Sequence, residues 1–185
     1  MVLLVLGMII FIGIHLVPSF APVRAGLMQR LGPGRYKGIF SLVSLVGLLL
    51  LALGKAHAAF VPVWTPPFWT RHLALALMPF SLILLAAAYL PGNIRRATRH
   101  PMLWGVVLWA VVHLLANGDL ASILLFGGFS AYSLYAMHSA NRRGATKSTV
   151  RQPVAKDLLA IGAGLAAYLV LLFLHPLLFG VSPFV

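Results

Sequence analysis

Two histidines lie inside strongly apolar stretches of the chain, where an imidazole is costly to bury. His15 lies in the segment FIGIHLVPS, and His113 lies in RHPMLWGVVLWAVVHLLANGD, about a dozen residues into the fourth apolar segment. An unpaired imidazole in hydrocarbon pays a large desolvation cost, so each ring must hydrogen-bond or bind a ligand. Histidine is also the commonest protein ligand for metals, haem iron included. The two residues are therefore candidate metal or haem ligands; the alternative is that each bonds a carbonyl or a serine of a neighbouring helix.

The composition is that of an integral membrane protein. The 185 residues are 61% hydrophobic and only 9% charged, whereas a soluble domain carries about 25% charged residues. There are 14 Lys and Arg but only two acids, Asp119 and Asp157, which gives a net charge of +12. Because the bases lie between apolar spans, they indicate orientation and anionic lipid headgroups as partners, not nucleic acid. The lack of cysteine excludes thiolate ligands, iron–sulfur clusters and cysteine nucleophiles.

Six apolar segments predict an all-α membrane bundle of about six transmembrane helices, in a single domain over 1–185. The segments run roughly over 2–20, 37–58, 70–90, 102–117, 120–138 and 156–180. Most approach the length of about 20 residues that a helix needs to cross a bilayer. The fourth is short, and Asn117-Gly118-Asp119 leaves only a tight turn before the fifth. Asn117 is expected to end the fourth helix, and Asp119 is expected to cap the fifth.

The connecting segments alternate in charge. Basic residues concentrate in 21–36, 91–101 and 139–155, whereas 55–71 carries bases only at its edges and 117–119 carries only Asp119. The positive-inside rule therefore predicts that loops one, three and five are cytoplasmic and that both termini lie outside. Residues 140–153 are expected to form a flexible basic linker.

Depth in the membrane limits which histidines can pair. His15 and His113 are expected to differ by roughly 14 Å along the membrane normal, which is too far for the rings to touch but leaves room for a metal or macrocycle. His57 ends the second segment and lies nearer in depth to His113. The sequence therefore leaves open both the pair His15/His113 and the pair His57/His113.

Several arginines on the predicted cytoplasmic side are candidate anion ligands. Their simplest role is to fix membrane topology, and the functional alternative is binding of phosphates or haem propionates. The set is Arg35, Arg95, Arg96 and Arg99. His100 precedes Pro101 at the start of the fourth segment and is expected to cap that helix.

The run over 99–119, RHPMLWGVVLWAVVHLLANGD, resembles the NnrU family of bacterial membrane proteins. The stretches 13–19, GIHLVPS, and 36–44, YKGIFSLVS, fit this family as well, so the resemblance covers nearly the whole chain. It implies a multi-pass protein of the bacterial inner membrane that is linked to denitrification. A nitrogen-oxide reductase or its assembly machinery is the partner that the resemblance implies.

The NnrU family is in turn similar to zeta-carotene isomerase, a membrane haem b protein. This similarity implies haem b with His15 and His113 as axial ligands, and a further important histidine near His57. The isomerase has a cysteine three residues before the later histidine, where this chain has Ala110. The difference argues against ligand exchange at the iron and leaves bis-histidine binding open.

The RHPxxxG element also resembles membrane methyltransferases that act on isoprenylcysteine or phospholipids with S-adenosylmethionine. That resemblance implies an enzyme on a lipid or isoprenoid, with His100 and Asn117 near the reacting end. Those enzymes follow the element with acidic residues, whereas this chain has no glutamate. Three functions therefore stay open: a haem b protein of denitrification or redox sensing, an isomerase-like or methyltransferase-like enzyme, and a non-catalytic assembly factor for a reductase complex.

Overall fold

Apolar stretches of this length fold as helices, because in hydrocarbon every backbone N–H and C=O must be bonded within the chain. The computed structural model describes residues 1–184, in which all the regular elements are helical. The α-helices are α1 (Val2–Leu16), α2 (Ala21–Ala56), α3 (Trp69–Tyr89), α4 (Asn93–Ala97), α5 (Pro101–Ala116), α6 (Leu120–Arg142) and α7 (Val154–Phe179); a 3-10 turn, Val17–Ser19, joins α1 to α2.

The predicted all-α membrane fold is confirmed. Five helices are long and apolar enough to cross a membrane, namely α1 with its 3-10 turn, α2, α3, α6 and α7. The sixth apolar helix, α5, has only 16 residues, or about 24 Å of rise. Which end of each helix faces the cytoplasm stays a prediction from the charge pattern.

One predicted boundary is wrong, because residues 21–36 are helical and form the first part of α2. Pro22 stands in the first turn, where the N–H that proline lacks has no helical partner to lose. The helix changes direction at Gly32, whose φ of 75° lies in the left-handed region open to glycine. The bases of this segment therefore lie on an exposed helix.

The linker predicted over 140–153 is anchored, although most of it is irregular. Asn93 Nδ2 donates to the Gln152 carbonyl at 2.8 Å, and the Gln152 N–H donates to Asn93 Oδ1 at 3.0 Å. Asn93 opens α4, a short helix inside the predicted loop 91–101. This reciprocal pair of hydrogen bonds holds the end of the linker against α4.

The six long helices pack in an order that differs from their order in the chain. The most extensive contacts are those of α1 with α2, α3 with α5 and α7, and α5 with α6, while α6 also contacts α1. The resulting spatial sequence is α2, α1, α6, α5, α3, α7. Therefore α6 lies between α1, which carries His15, and α5, which carries His113.

Glycines allow α1 and α2 to approach each other closely. A Cβ added at Gly7 would lie 2.6 Å from the backbone nitrogen of Leu51, and one added at Gly47 would lie 2.8 Å from that of Phe11. Helices in hydrocarbon associate through such van der Waals packing, because lipid tails are as apolar as the side chains. Many other large apolar side chains on these two helices are exposed, as lipid-facing residues should be.

Candidate functional site

His15 lies in the last turn of α1 and is surrounded by aromatic side chains from three helices. Its Nδ1 is 2.7 Å from the carbonyl oxygen of Phe11, one turn earlier. The Phe11 ring stacks on the imidazole with centroids 4.2 Å apart. Phe40 of α2 and Tyr132 of α6 meet it edge-on, at 5.1 and 6.1 Å. The imidazole therefore sits where α1, α2 and α6 come together.

His113 lies in the last turn of α5 and is held in the same way. Its Nδ1 is 2.7 Å from the carbonyl oxygen of Trp109, and its ring packs against Trp109 and against Phe126 of α6, with centroids 5.4 and 4.7 Å away. The His113 carbonyl accepts hydrogen bonds from the N–H and the Nδ2 of Asn117, both at 2.9 Å. Asn117 therefore ends α5, as the sequence predicts.

In both imidazoles, Nε2 is the nitrogen that is free to bind a ligand. A carbonyl oxygen only accepts hydrogen bonds, so the Nδ1 of each ring carries the hydrogen, and the lone pair of the neutral imidazole is then on Nε2. Metal-binding histidines in proteins are usually fixed by such a second hydrogen bond. His57 shows the same arrangement, with Nδ1 2.9 Å from the Leu53 carbonyl, but its side chain is exposed at the end of α2.

A continuous series of aromatic contacts connects the two half-buried histidines. Phe11, which stacks on His15, also contacts Phe129 of α6, with ring centroids 5.4 Å apart. Phe129 contacts Trp109, with centroids 5.6 Å apart, and Trp109 contacts His113. Side chains therefore fill the space that the sequence left open for a macrocycle.

The positions of their partners on α6 show how far apart the two imidazoles lie. Tyr132, which faces His15, and Phe126, which faces His113, are six residues apart on one helix. Six residues correspond to about 9 Å of helical rise. This separation is smaller than the roughly 14 Å expected from the lengths of the spans, but it again puts the two imidazoles at different depths.

Three buried hydroxyl groups have no hydrogen-bond partner within residues 1–184: Tyr36 OH, Ser130 Oγ and Ser133 Oγ. Tyr36 lies one turn before Phe40 on α2, and the two serines lie on α6, two residues before and one residue after Tyr132. Unpaired buried polar atoms are uncommon. These hydroxyls lie on the two helices whose Phe40 and Tyr132 contact His15.

The residues fit a haem in their ligand chemistry, with one steric condition. Each histidine offers an open Nε2, and the aromatic surroundings would exclude water. One iron shared by both would require Phe129 and its neighbours to turn away. Among the described residues no cluster of three or more His, Cys, Asp or Glu could hold a metal ion. A metal held by these two histidines would therefore need further ligands from outside these residue types.

Asp119, at the start of α6, joins three parts of the chain: the end of α2, the 117–119 turn and the first turn of α6. Its Oδ1 accepts the Ser122 N–H at 3.0 Å, which confirms the predicted N-cap, and it also accepts Lys55 Nζ at 2.9 Å. Lys55 Nζ donates a further hydrogen bond to Ser122 Oγ at 2.8 Å. Burial alone would raise the pKa of the Asp119 carboxyl, but the hydrogen bonds from Ser122 and Lys55 outweigh it, and the pKa lies below its usual value.

The loop between α2 and α3 covers this turn. The N–H groups of Val63 and Trp64 donate to the Gly118 carbonyl at 2.8 and 3.2 Å, and the Leu120 N–H donates to the Val61 carbonyl at 2.9 Å. The sequence predicted the tight turn but did not indicate that the loop between α2 and α3 bonds to it. The turn that follows the helix of His113 is therefore held both by the Lys55–Asp119 pair and by the loop between α2 and α3.

The other end of α5 is tied to α6 through Asn141. Arg99 Nη1 and His100 Nε2 both donate to Asn141 Oδ1, at 2.8 and 2.9 Å. His100 is the N-cap residue of α5 by position, but its side chain bonds Asn141 and makes no capping hydrogen bond. The expectation that its side chain caps the helix is therefore wrong.

The structure separates several residues that the sequence placed together. His100 and Asn117 stand at opposite ends of α5, about 25 Å apart along the helix, so they cannot share the reacting end that the methyltransferase interpretation gave them. Arg95 and Arg96 lie on α4, at the His100 end and away from His113. Arg35 is exposed on α2. None of these arginines is brought to the imidazole of His113.

One further histidine, His175, lies in α7. Its Nδ1 is 2.7 Å from the Val181 carbonyl, and its ring packs against Phe179 with centroids 4.8 Å apart. The contacts of this imidazole are therefore with its own end of the chain.

A family model described as NnrU protein matches residues 3–183. No curated protein and no solved structure shows significant similarity to the chain. The match includes the helices that carry His15 and His113, the RHP element and the Asn117-Gly118-Asp119 turn. Since it covers almost every residue, the chain belongs to the NnrU family.

Proposed function

We propose that this protein is a multi-pass protein of the bacterial inner membrane that serves denitrification and binds haem b through His15 and His113. Membership of the NnrU family suggests the link to denitrification. The apolar helices fit a lipid bilayer. The haem assignment rests on the two histidines.

The observation that carries the haem proposal is the identical anchoring of two intramembrane imidazoles. In each ring Nδ1 is bonded at 2.7 Å to the carbonyl four residues earlier, so Nε2 is the available ligand atom. Haem b would supply one-electron chemistry when bound. The protein's own contribution would be to fix the two rings, to surround them with Phe11, Trp109 and Phe126, and to keep water away.

The proposal is tested by the absorption spectrum of protein purified from membranes of cells that are supplied with a haem precursor. We expect a Soret band, a positive pyridine haemochrome assay for haem b, and loss of most bound haem in both His15→Ala and His113→Ala. His72→Ala is the matched control, because His72 is exposed and begins the third span. Helical content by circular dichroism and a monodisperse elution profile show whether each variant has folded.

Spectroscopy of the iron separates the possible ligand sets. A wild-type low-spin spectrum that becomes high-spin in each folded single variant supports one iron shared by His15 and His113. No haem in well-folded wild-type protein, or equal haem in wild type and both variants, would overturn the proposal. Retention of haem in His15→Ala with loss in a His57→Ala variant would replace His15 by His57 as the mate of His113.

A second function, as a non-catalytic assembly factor for a nitrogen-oxide reductase, is favoured by one observation. The Nδ1–H of each imidazole is already bonded within its own helix and each ring packs against aromatic side chains, so a purely structural role needs no ligand. This role predicts that His15→Ala and His113→Ala variants that fold still support denitrification in cells that lack the wild-type protein. Loss of denitrification with normal protein levels would reject it.

A further inference from the structure

Two adjoining clefts at the α4 end of the molecule share two cationic side chains, Arg99 and Lys147. The first, of about 530 Å³, lies between the start of α5 and the end of α6 and includes His100. The second, of about 430 Å³, lies between α4 and the linker and adds Arg95 and Arg96. Four permanent positive charges therefore face one continuous depression.

These charges outnumber the carboxylates near them. The chain has only two acids, and the ion pair found within residues 1–184 is that of Lys55 with Asp119, at the other end of the long helices. Asp157 lies close to α4, where its charge interacts with that of Arg96 and its oxygens accept hydrogen bonds from the Ile94 N–H and from Asn93 Nδ2. One carboxylate offsets only part of the four positive charges. Like charges gathered in a cleft repel one another, so an anion from outside the chain would stabilise this arrangement.

Hydrogen bonds hold Arg99 and the linker that carries Lys147 in place, although the side chains of both residues are exposed. Arg99 is bonded to Asn141 at the end of α6. The linker that brings Lys147 over the clefts is fixed to α4 by the two bonds between Asn93 and Gln152. Guanidinium groups in a fixed geometry bind phosphate oxygens through paired hydrogen bonds, which a topology signal alone does not require.

One wall of the first cleft is apolar and leads toward lipid. It is formed by Trp104 of α5 with Leu134 and Met137 of α6. Trp104 and Leu134 are 46% and 50% exposed, on helices whose outer faces are otherwise apolar. A ligand that fills this cleft thus has an anionic group beside Arg99 and Lys147 and a hydrocarbon portion along Trp104 and Leu134.

We propose that this double cleft, defined by Arg95, Arg96, Arg99 and Lys147, binds the phosphate of an anionic phospholipid whose acyl chain lies along Trp104 and Leu134. The site is separate from the two histidines, and the proposal does not depend on haem binding. It gives the basic segment 91–101 a specific ligand in addition to its predicted role in orientation.

The test uses the purified full-length protein and counts bound lipids by native mass spectrometry. Phosphatidylglycerol and phosphatidylcholine with the same acyl chains are offered together, because only the first has a net negative headgroup. We expect preferential binding of phosphatidylglycerol, weakened about 30-fold in Arg95→Gln/Arg99→Gln, since each cation near an anionic lipid contributes about 1 kcal/mol. Arg30→Gln/Arg35→Gln, which removes the same charge from α2, should keep the wild-type preference.

Two further arms identify the source of the phosphate and the position of the lipid. Excess inorganic phosphate should not displace phosphatidylglycerol, whereas displacement would assign the cleft to free phosphate and overturn the lipid proposal. Brominated phosphatidylglycerol should quench tryptophan fluorescence less in Trp104→Phe than in a Trp69→Phe control. Equal quenching in both, equal binding of the two lipids, or an equal loss in the α2 control would also overturn it. If Arg95→Gln/Arg99→Gln does not fold, the wild-type lipid preference and the Trp104 quenching still decide.

Discussion

Lys55 and Asp119, 64 residues apart in the chain, form an ion pair in which Nζ lies 2.9 Å from Oδ1. The pair joins the end of α2 to the start of α6, and Ser122 bonds to both partners. The Asp119 side chain is 8% exposed and that of Lys55 is 34% exposed. This contact connects the α1–α2 pair to the remaining helices at one end of the molecule.

Breaking this ion pair should destabilise the protein. Lys55→Met leaves the buried Asp119 carboxylate without its cation, and we expect a loss of about 2 kcal/mol, reduced from a fully buried case by the exposure of Lys55. The measurement is the thermal unfolding midpoint in detergent. In the double variant Lys55→Met/Asp119→Asn the loss should be smaller than the sum of the two single losses, because each single change already removes the same ion pair. Asparagine keeps the N-cap in both backgrounds, so the cap does not affect the comparison. Strict additivity would show that the two side chains do not interact.

The same pair predicts a dependence of stability on pH. The pKa of Asp119 is lowered in the folded protein, so its carboxylate favours folding at pH values above the ordinary Asp pKa of about 4. This contribution is lost as the pH falls through the lowered folded pKa, because the unfolded chain takes up the proton first. The difference in unfolding midpoint between wild type and Asp119→Asn should therefore be constant near pH 7 and shrink below about pH 4. A difference that stays unchanged down to pH 3 would contradict the lowered pKa.

Phe129 should control whether both histidines reach one iron. Its ring contacts Phe11 and Trp109, which in turn pack on His15 and His113. If a single haem is shared, Phe129→Ala should raise haem occupancy severalfold by opening the space between the imidazoles. The measurement is the ratio of Soret to protein absorbance, with Phe173→Ala as control because Phe173 is 71% exposed on α7. Unchanged occupancy in a folded, haem-containing Phe129→Ala protein would exclude a haem between the two residues.

The close contact of α1 with α2 should not tolerate a larger side chain at Gly47. A Cβ there would lie within 3 Å of Phe11 atoms, so Gly47→Leu should push the helices apart and cost about 1–3 kcal/mol. The control is Gly38→Leu on the same helix, where an added Cβ meets nothing within 4 Å. Thermal unfolding of the two variants in one detergent compares them directly. Equal midpoints would mean that α1 and α2 are not in tight contact.

Local patterns in the sequence predicted the features that depend on neighbouring residues. Apolar stretches located the helices, and the Asn117-Gly118-Asp119 turn predicted both the end of α5 and the N-cap of α6. The boundary at 21–36 was wrong because charge alone suggested a loop, although Pro22 and the residues after it are compatible with a helix.

The remaining contacts depend on which helices are neighbours, and the chain order does not give that information. Lys55–Asp119 requires α2 to end beside α6, and Asn93–Gln152 requires the linker to cross α4. The aromatic contacts of Phe129 require α6 to lie between α1 and α5. A weak hint existed for the first pair only, because an acid is rare in this chain and a lysine ends the second span.

The central position of α6 has a consequence for how the protein is made. His15 receives Tyr132 and His113 receives Phe126 from this one helix, which is complete only when Arg142 has been synthesised. Until then α1 and α2 are able to pair, but each imidazole lacks its contact with α6. The surroundings of both histidines are therefore complete only late in membrane insertion, when α6 has joined the other helices.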